Sequence, residues 1–403
     1  METNVYRTRE GLRHAFRDVL NFYYPDCLDT RVGGYVAQLD ERAGYVYDSR
    51  SKHLVATARA INNFSLGTLA DGPEWCRHAA EHGLRFLSTA HWDPEHEGYD
   101  WLLDERAPVD RTRFCYGHAF ALLAGARVHQ AGIPGGRAEL DRAFSVLEKR
   151  FFEPERGLYA DRASPDWAEL SPYRGANANM HTLEALLAAG EATGEERFFE
   201  RAIEVAERFT RELATETDGL LWEHYTESWK HDLSYNEDEP DHQFRPPGYQ
   251  PGHHAEWAKL LILLAEHREE DWLTERAMEL FDSAMELGWD GNHGGLYYTV
   301  EASGEPIVDE KYGWAHTEAI GASALLARYD SSYLEWYDRL WEYSAEHLIN
   351  PRYGNWYERL TREGELPEPD HGPAVEPGYH PITNCWLAMG VLEDDPTALD
   401  ADG

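Results

Sequence analysis

Apolar residues recur three and four positions apart along most of the chain, the spacing of an α-helix with one buried face. Segment 53–69 places Leu54, Ala58, Ile61 and Ser65 on one stripe, and 73–88 does the same with Trp75, Ala79, His82 and Phe86. The pattern continues over 114–129 and 138–151, 178–193 and 197–213, 254–267 and 272–287, and 314–329 and 333–347, and ends at 381–392. With 9–23 at the N-terminus it predicts twelve helices. The first member of each pair is richer in Ala, Gly and Leu, and the second carries Glu and Arg on one face. That contrast predicts inner helices crowded round an axis and outer helices facing water. Between pairs the period changes. A glycine followed within three residues by Tyr or Trp occurs at Gly34, Gly98, Gly157, Gly219, Gly295 and Gly354, at intervals of 64, 59, 62, 76 and 59 residues. Turn-rich approaches and short alternating segments flank these glycines, as in small β-hairpins.

Six helix pairs stack either as an open solenoid or as a closed ring. An open stack needs polar end caps, but the last segment, 381–392, is an apolar half-repeat that the N-terminal helix can complete. The expected fold is therefore all-α: one (α/α)6 toroid spanning 1–403, with short hairpins between repeats. The longest interval contains a stretch rich in Pro, Asp and Tyr at 224–252, which is expected to cover or wall a site.

Composition narrows the function. A formal net charge of -37, from 74 acidic and 37 basic residues, repels polyanions, so a nucleic-acid partner is excluded. The acidity is spread evenly, lysine is limited to Lys52, Lys149, Lys230, Lys259 and Lys311, and such a surface suits high salt. Fourteen Trp, 23 Tyr and 14 Phe are too many for a disordered chain. Cys27, Cys76, Cys115 and Cys385 have no paired spacing and read as buried thiols in a reducing compartment. No apolar run is long enough to span a bilayer. A cytoplasmic monomer or homodimer is expected, and the sequon Asn63-Phe64-Ser65 then has no glycosylation role.

Unusual chemistry gathers at the starts of the inner segments, which share one end of the toroid: Arg59, Tyr116 and His118, Asn177 and His181, His253 and Glu256, Trp314 and Glu318, and His380. His118 and His316 are equally compatible with a structural role. The spacings of Asn177 with His181 and of His253 with Glu256 put each pair on one helix face, where an amide or carboxylate can fix an imidazole tautomer. Trp314 can stack on a sugar face or fill space. Glu256 and Glu318 can be read as a carboxylate pair for glycoside cleavage. HExxH motifs, paired Cys/His spacings, phosphate-binding glycine loops and GxSxG elbows do not occur, so neither a metal nor a nucleotide cofactor is expected.

The chain resembles the N-acylglucosamine 2-epimerase superfamily, which includes cellobiose 2-epimerases and the mannose and sulfoquinovose isomerases. The resemblance spans nearly the whole chain. It rests on Gly33-Gly34-Tyr35, Thr57-Ala58-Arg59, Tyr116-Gly-His-Ala-Phe120, Asn177-Ala-Asn-Met-His181, Gln250-Pro-Gly-His253-His-Ala-Glu256-Trp-Ala-Lys-Leu-Leu261, Lys311-Tyr-Gly-Trp314-Ala-His-Thr-Glu318 and Tyr379-His380. It implies the toroid inferred above and interconversion of sugars through an enediolate without a redox cofactor. It implies further that His253 and His380 are the acid/base pair, that His181 assists ring opening, and that Arg59, Tyr116, Asn177, Glu256 and Glu318 bind or polarise the sugar. Trp314 would be a sugar platform. Cellobiose epimerases carry Trp and Lys before the Tyr-His and Asn after it, whereas this chain reads Val375-Glu-Pro-Gly-Tyr-His-Pro-Ile-Thr383. The isomerases tend to have Trp four residues before the arginine, here Val55. The expected reaction is aldose–ketose isomerisation of a free monosaccharide such as mannose, with 2-epimerisation as the alternative. An inverting glycosidase and a non-catalytic sugar binder are the readings from other classes. A sulfonated or phosphorylated sugar would call on Arg59, Arg174 or Arg245.

Overall fold

Small side chains decide which helices lie inside. In the computed structural model, which describes residues 3–240, 242, 244–369, 371, 372 and 374–394, the inner helices are α2 (Leu54–Leu69), α4 (Cys115–Gln130), α6 (Ala176–Thr193), α8 (Pro251–Ala265), α10 (Gly313–Leu326) and α12 (Tyr379–Asp394). The outer ones are α1 (Arg9–Tyr23), α3 (Glu74–Phe86), α5 (Gly136–Val146), α7 (Glu196–Glu207), α9 (Asp271–Gly288) and α11 (Tyr333–Tyr343). In α2, 14 of 16 residues are buried, because neighbours cover every face. In α1 only Gly11, Leu12, Phe16, Val19 and Leu20 are buried, one stripe at helical spacing. Glycine permits the closest inner–outer approach. A Cβ on Gly125 of α4 would lie 2.5 Å from the backbone nitrogen of Leu140 in α5.

Each inner helix packs on the next inner helix, and α12 packs on both α10 and α2, which closes the ring. Helix α1 lies against α12 and completes the last pair from the other end of the chain. The architecture is thus the (α/α)6 toroid.

The glycine signals are turns, five of them in hairpins. Five of the six glycines take positive φ, between 68° and 87°; at the sixth, Gly98, the preceding Glu97 takes that conformation instead, with φ 56°. Trp92–Asp93 pairs with Gly98–Tyr99, Phe152–Glu153 with Leu158–Tyr159, and single bridges join Leu28 to Tyr35, Trp289 to Leu296 and Ile349 to Trp356. A second ladder recurs just before the inner helices. Ser51–His53 pairs with Leu102–Asp104, Arg113–Phe114 with Arg162–Ala163, Arg174–Gly175 with His224–Tyr225, and Lys311–Tyr312 with Arg359–Leu360; Tyr249 bridges Val300. Inner helices α2, α4, α6, α8 and α10 therefore each start from a point stitched to the following repeat, which fixes their N-termini at one end of the barrel; the approach to α12 is held there by Arg59 and Asn63 of α2, which donate to the Val375 and Pro377 carbonyls.

Outer helices α3, α5, α7 and α11 each close with one five-residue π-turn before the chain turns into the next segment. None of the described helices is long and apolar enough to cross a membrane.

Candidate active site

Because the inner helices start in register, equivalent positions meet on the axis. The residue five beyond the first of each inner helix is Arg59, Phe120, His181, Glu256, Glu318 and Asn384 in turn. They form a girdle. The Arg59 guanidinium is 4.5 Å from the Phe120 ring centre, Phe120 is 4.7 Å from His181, His181 Nδ1 is 3.8 Å from Glu256, and Asn384 donates to Glu318 at 2.8 Å. Nearer the mouth, the first turns supply Tyr116, Asn177, His253, Trp314 and His380. Arg59, His181 and Glu256 of the girdle and the five residues of the outer layer line a cavity of about 310 Å³, at the small end of the range of roughly 300–1,000 Å³ for ligand pockets. Of the ten residues singled out in the sequence, eight line this cavity. Glu318 stands behind the wall, and His118 lies outside the site.

Both mouth histidines are anchored through Nδ1 to a buried carboxylate, which leaves Nε2 for the cavity. His253 Nδ1 is 3.0 Å from Glu223 Oε1, and His380 Nδ1 is 2.6 Å from Glu318 Oε1. The Trp314 ring lies 5.1 Å from His253 and 5.7 Å from His380. Arg59 Nη2 contacts the Tyr116 hydroxyl at 3.0 Å and His380 Nε2 at 3.4 Å, while Nη1 reaches Glu376 Oε2 at 3.0 Å and the Val375 carbonyl at 3.1 Å.

The partners expected from spacing differ from those formed. Glu256 does not hold His253, and Asn177 does not hold His181; Glu223 and Glu184 do so instead, Glu184 Oε2 lying 2.9 Å from His181 Nδ1. Glu184 also accepts from the Tyr379 hydroxyl. Below the girdle, Lys259 donates to Glu318 and lies 3.9 Å from Glu256. Burial alone would raise the Glu318 carboxyl, but Lys259 and His380 outweigh it and hold it below the usual carboxylate range. Glu256 goes the other way. Burial, followed by repulsion from Glu318, lifts it well above its ordinary value despite Lys259, so it is a neutral acid with neither oxygen hydrogen-bonded within the protein. Burial also brings His181 down to about 4, against the pull of Glu184, and it is neutral near pH 7.

Two acidic clusters here, His181 with Glu184 and Glu256, and Glu256 with Glu318 and His380, bring possible ligand atoms within 4.8 Å of one another. Their geometry is that of an ion-pair network. The Lys259 ammonium already stands on Glu318, and Tyr379 on Glu184. Arg174 and Arg245 are likewise engaged, Arg174 by Glu153 at 2.6 and 2.9 Å and Arg245 by Asp161 at 2.6 Å.

The other inner-helix histidines do a different job. His118, His254 and His316, three beyond the helix start, each place Nε2 to accept from a backbone N–H one or two residues after a turn glycine, those of Tyr99, Leu221 and Leu296, at 2.9–3.2 Å. Asn179 does the same for Tyr159. Burial pushes His118 and His316 down to about 3 and His254 to about 4, so all three are neutral clamps.

Sequence reasoning passed over Glu223, Glu184, Lys259 and Glu376. Two had a signal: Glu184 lies three after His181, and Lys259 three after Glu256, on the same helix faces.

A toroid with two carboxylate-anchored histidines and a buried arginine around a small polar cavity defines a class, the proton-transferring sugar enzymes on (α/α)6 barrels. Within it, residues 33–384 match the family described as N-acylglucosamine 2-epimerase (GlcNAc 2-epimerase), and the chain belongs to that family. It is an enzyme of the isomerase class. It is 38% identical to the D-mannose isomerase of Marinomonas mediterranea over 395 residues, 97% of this chain and all of that one. A crystal structure of a D-mannose isomerase superposes with a TM-score of 0.92 at 36% identity, covering 95% of this chain and 98% of the other. The cellobiose 2-epimerase of Bacteroides fragilis is more distant, at 21% identity over 87% of this chain and 90% of that protein.

Proposed function

We propose that the chain is an aldose–ketose isomerase acting on a free monosaccharide of the mannose–fructose type, with His253 and His380 as its acid/base pair. The observation that carries this reading is the paired anchoring of the two rings, each fixed through Nδ1 with Nε2 towards the cavity. The full-length similarity to D-mannose isomerases supports the substrate class. His181, with Glu256 as neutral acid beside it, would serve ring opening. In the open-chain aldose, a histidine Nε2 then takes the C2 proton, the C–H electron pair forms the C1=C2 bond, and negative charge passes to O1 near Arg59. Return of the proton to C1, with the O2 hydroxyl proton passing to O1 as O2 becomes the carbonyl, gives the ketose. Return to the opposite face of C2 would give the epimer. Asn177, whose amide oxygen is buried without a protein partner, and Tyr116 would bind hydroxyls, and Trp314 would carry an apolar sugar face. Glu318 would act through His380 and not on the sugar. The segment 224–252 would form one wall of the site, to which Phe244, Pro246 and Gln250 contribute. The engagement of Arg174 and Arg245 by carboxylates favours an uncharged sugar over a sulfonated or phosphorylated one.

Incubation with mannose in D2O, read by NMR, tests the reaction. Fructose deuterated at C1 is expected; glucose deuterated at C2 as the main product would move the assignment to 2-epimerisation. Release of reducing sugar from mannosides without C2 exchange would overturn both. His253→Ala and His380→Ala are each expected to abolish exchange.

A further inference from the structure

Glu376 lies outside every helix, three residues before α12, yet it touches the centre of the site. Its Oε1 accepts the backbone N–H of His380 at 3.1 Å, and its Oε2 lies 3.0 Å from Arg59 Nη1 and 3.5 Å from His380 Nε2. The Nε2 atom of His380 therefore has two charged neighbours of opposite kind, an arginine N–H at 3.4 Å and a carboxylate oxygen at 3.5 Å. This matters because Nε2 changes character during proton transfer. With Nδ1–H engaged by Glu318, the neutral ring has a lone pair at Nε2, which only a donor can satisfy. Once the ring has taken a proton, Nε2–H needs an acceptor until the proton is returned. Arg59 and Glu376 supply one each.

We propose that Glu376 is a positioning residue for His380: it receives Nε2–H in the protonated state of the ring, and it holds the Arg59 guanidinium beside that atom in the neutral state. The inference rests on His380 as an acid/base group of the reaction. The groups facing the ring are Glu318 from α10, Arg59 from α2, Glu376 itself and, across the cavity, His181 from α6. Of these, Glu318 fixes the tautomer, Arg59 disfavours a charged ring and Glu376 favours it. Removing the Glu376 charge should therefore make His380 harder to protonate. No bond to carbon is formed or broken by Glu376, and the proton it receives stays on the imidazole.

Glu376→Gln keeps the size of the side chain and an acceptor for the His380 N–H but removes the charge. The expected result is a fall in kcat of roughly ten- to a hundredfold, the worth of a charge-assisted hydrogen bond, with KM changed by less than about threefold. The acid limb of the kcat/KM profile should move to lower pH by about one unit. Glu376→Asp, which keeps the charge, should recover part of kcat and return the limb towards the wild-type position. A Glu376→Gln enzyme with unchanged kcat and an unmoved limb would overturn the inference, as would a loss of kcat with an unmoved limb, which a purely structural role for the loop predicts. His380→Asn in the same assay separates this from the wider reading. If His380→Asn keeps C2–H exchange, the acid/base assignment fails; if it loses exchange and Glu376→Gln behaves as wild type, only the role of Glu376 fails.

Discussion

At the scale of single residues, Lys259 is the cation on which the buried acids depend. It stands on Glu318, lies 3.9 Å from Glu256, and is shielded from water by α6, α8 and α10. Its own charge is costly to bury, but the ionised Glu318, with Glu184 behind it, more than offsets that and raises its pKa above the ordinary lysine value. Lys259→Met should therefore cost about 3–5 kcal/mol, because it leaves the Glu318 charge buried without its cation. Lys259→Met combined with Glu318→Gln should recover much of the stability and none of the turnover, since His380 then lacks an ionised acceptor. Urea denaturation and kcat on both variants check this, and full activity in the double variant would show that the Glu318 charge is not needed. The same residues show what the sequence could reveal of the site. The cavity-lining side chains were legible because they fall at repeated offsets from inner-helix starts. Their partners were harder to read: Glu223 reaches His253 from the neighbouring repeat, 30 residues earlier, and Glu376 comes from irregular chain, so no periodicity points to either. The two pairings suggested by spacing failed for one reason. Sharing a helix face brings side chains near one another, but here a neighbouring acid was better aimed at the ring nitrogen.

At the scale of elements, the four clamps at the third offset hold turn to helix, and their pKa values predict how the barrel responds to acid. His118 and His316 are neutral in the folded chain down to about pH 3 and His254 to about pH 4, whereas in the unfolded chain all three take up a proton near pH 6.5. The unfolded state binds more protons over that interval, so stability is complete above about pH 6.5 and is lost as pH falls towards 4. Each clamp contributes a slope of about 1.4 kcal/mol per pH unit there. Asn179 performs the same task without titrating, so His118→Asn and His316→Asn should keep the hairpin bond and flatten the loss. Denaturation midpoints between pH 6.5 and 4.5 measure the difference, and an unchanged slope in the double Asn variant would refute the linkage. His118→Ala, which leaves the Tyr99 N–H unpaired, should instead cost about 1–3 kcal/mol at pH 7. The helices themselves were legible from the 3-4 spacing of apolar residues. The ends of α3, α5, α7 and α11 were read as continuous helix because a π-turn preserves apolar spacing over its five residues while widening the backbone.

At the scale of the whole molecule, closure of the ring was legible from an unmatched half-repeat, and α1 on α12 supplies the missing half. The charge of -37 has a place in that picture. Three of the five lysines, Lys52, Lys259 and Lys311, are buried in ion pairs with Asp29, Glu318 and Asp290, which leaves Lys149 and Lys230 exposed on a surface where carboxylates outnumber arginines. Such a surface repels itself over a screening length of about 10 Å at 0.1 M salt and about 3 Å at 1 M. Raising KCl from 0.1 to 1 M should therefore raise Tm by about 5 °C, through relief of self-repulsion in the compact state. NaCl should act equally, because the effect is screening and not binding of one ion. The working residues are inside the barrel and the proposed substrate is uncharged, so KM should stay within about twofold over the same range. A charged sugar would behave differently, since carboxylates at the mouth, among them Glu41, Glu358, Glu368 and Glu376, would repel an anion strongly at low salt and weakly at high salt. Measuring Tm and KM across one salt series thus separates two properties that the net charge alone runs together. A Tm that rises while KM stays flat assigns the acidity to the outer surface, whereas a KM that falls steeply with salt would mean that the field reaches the substrate and that the sugar carries negative charge.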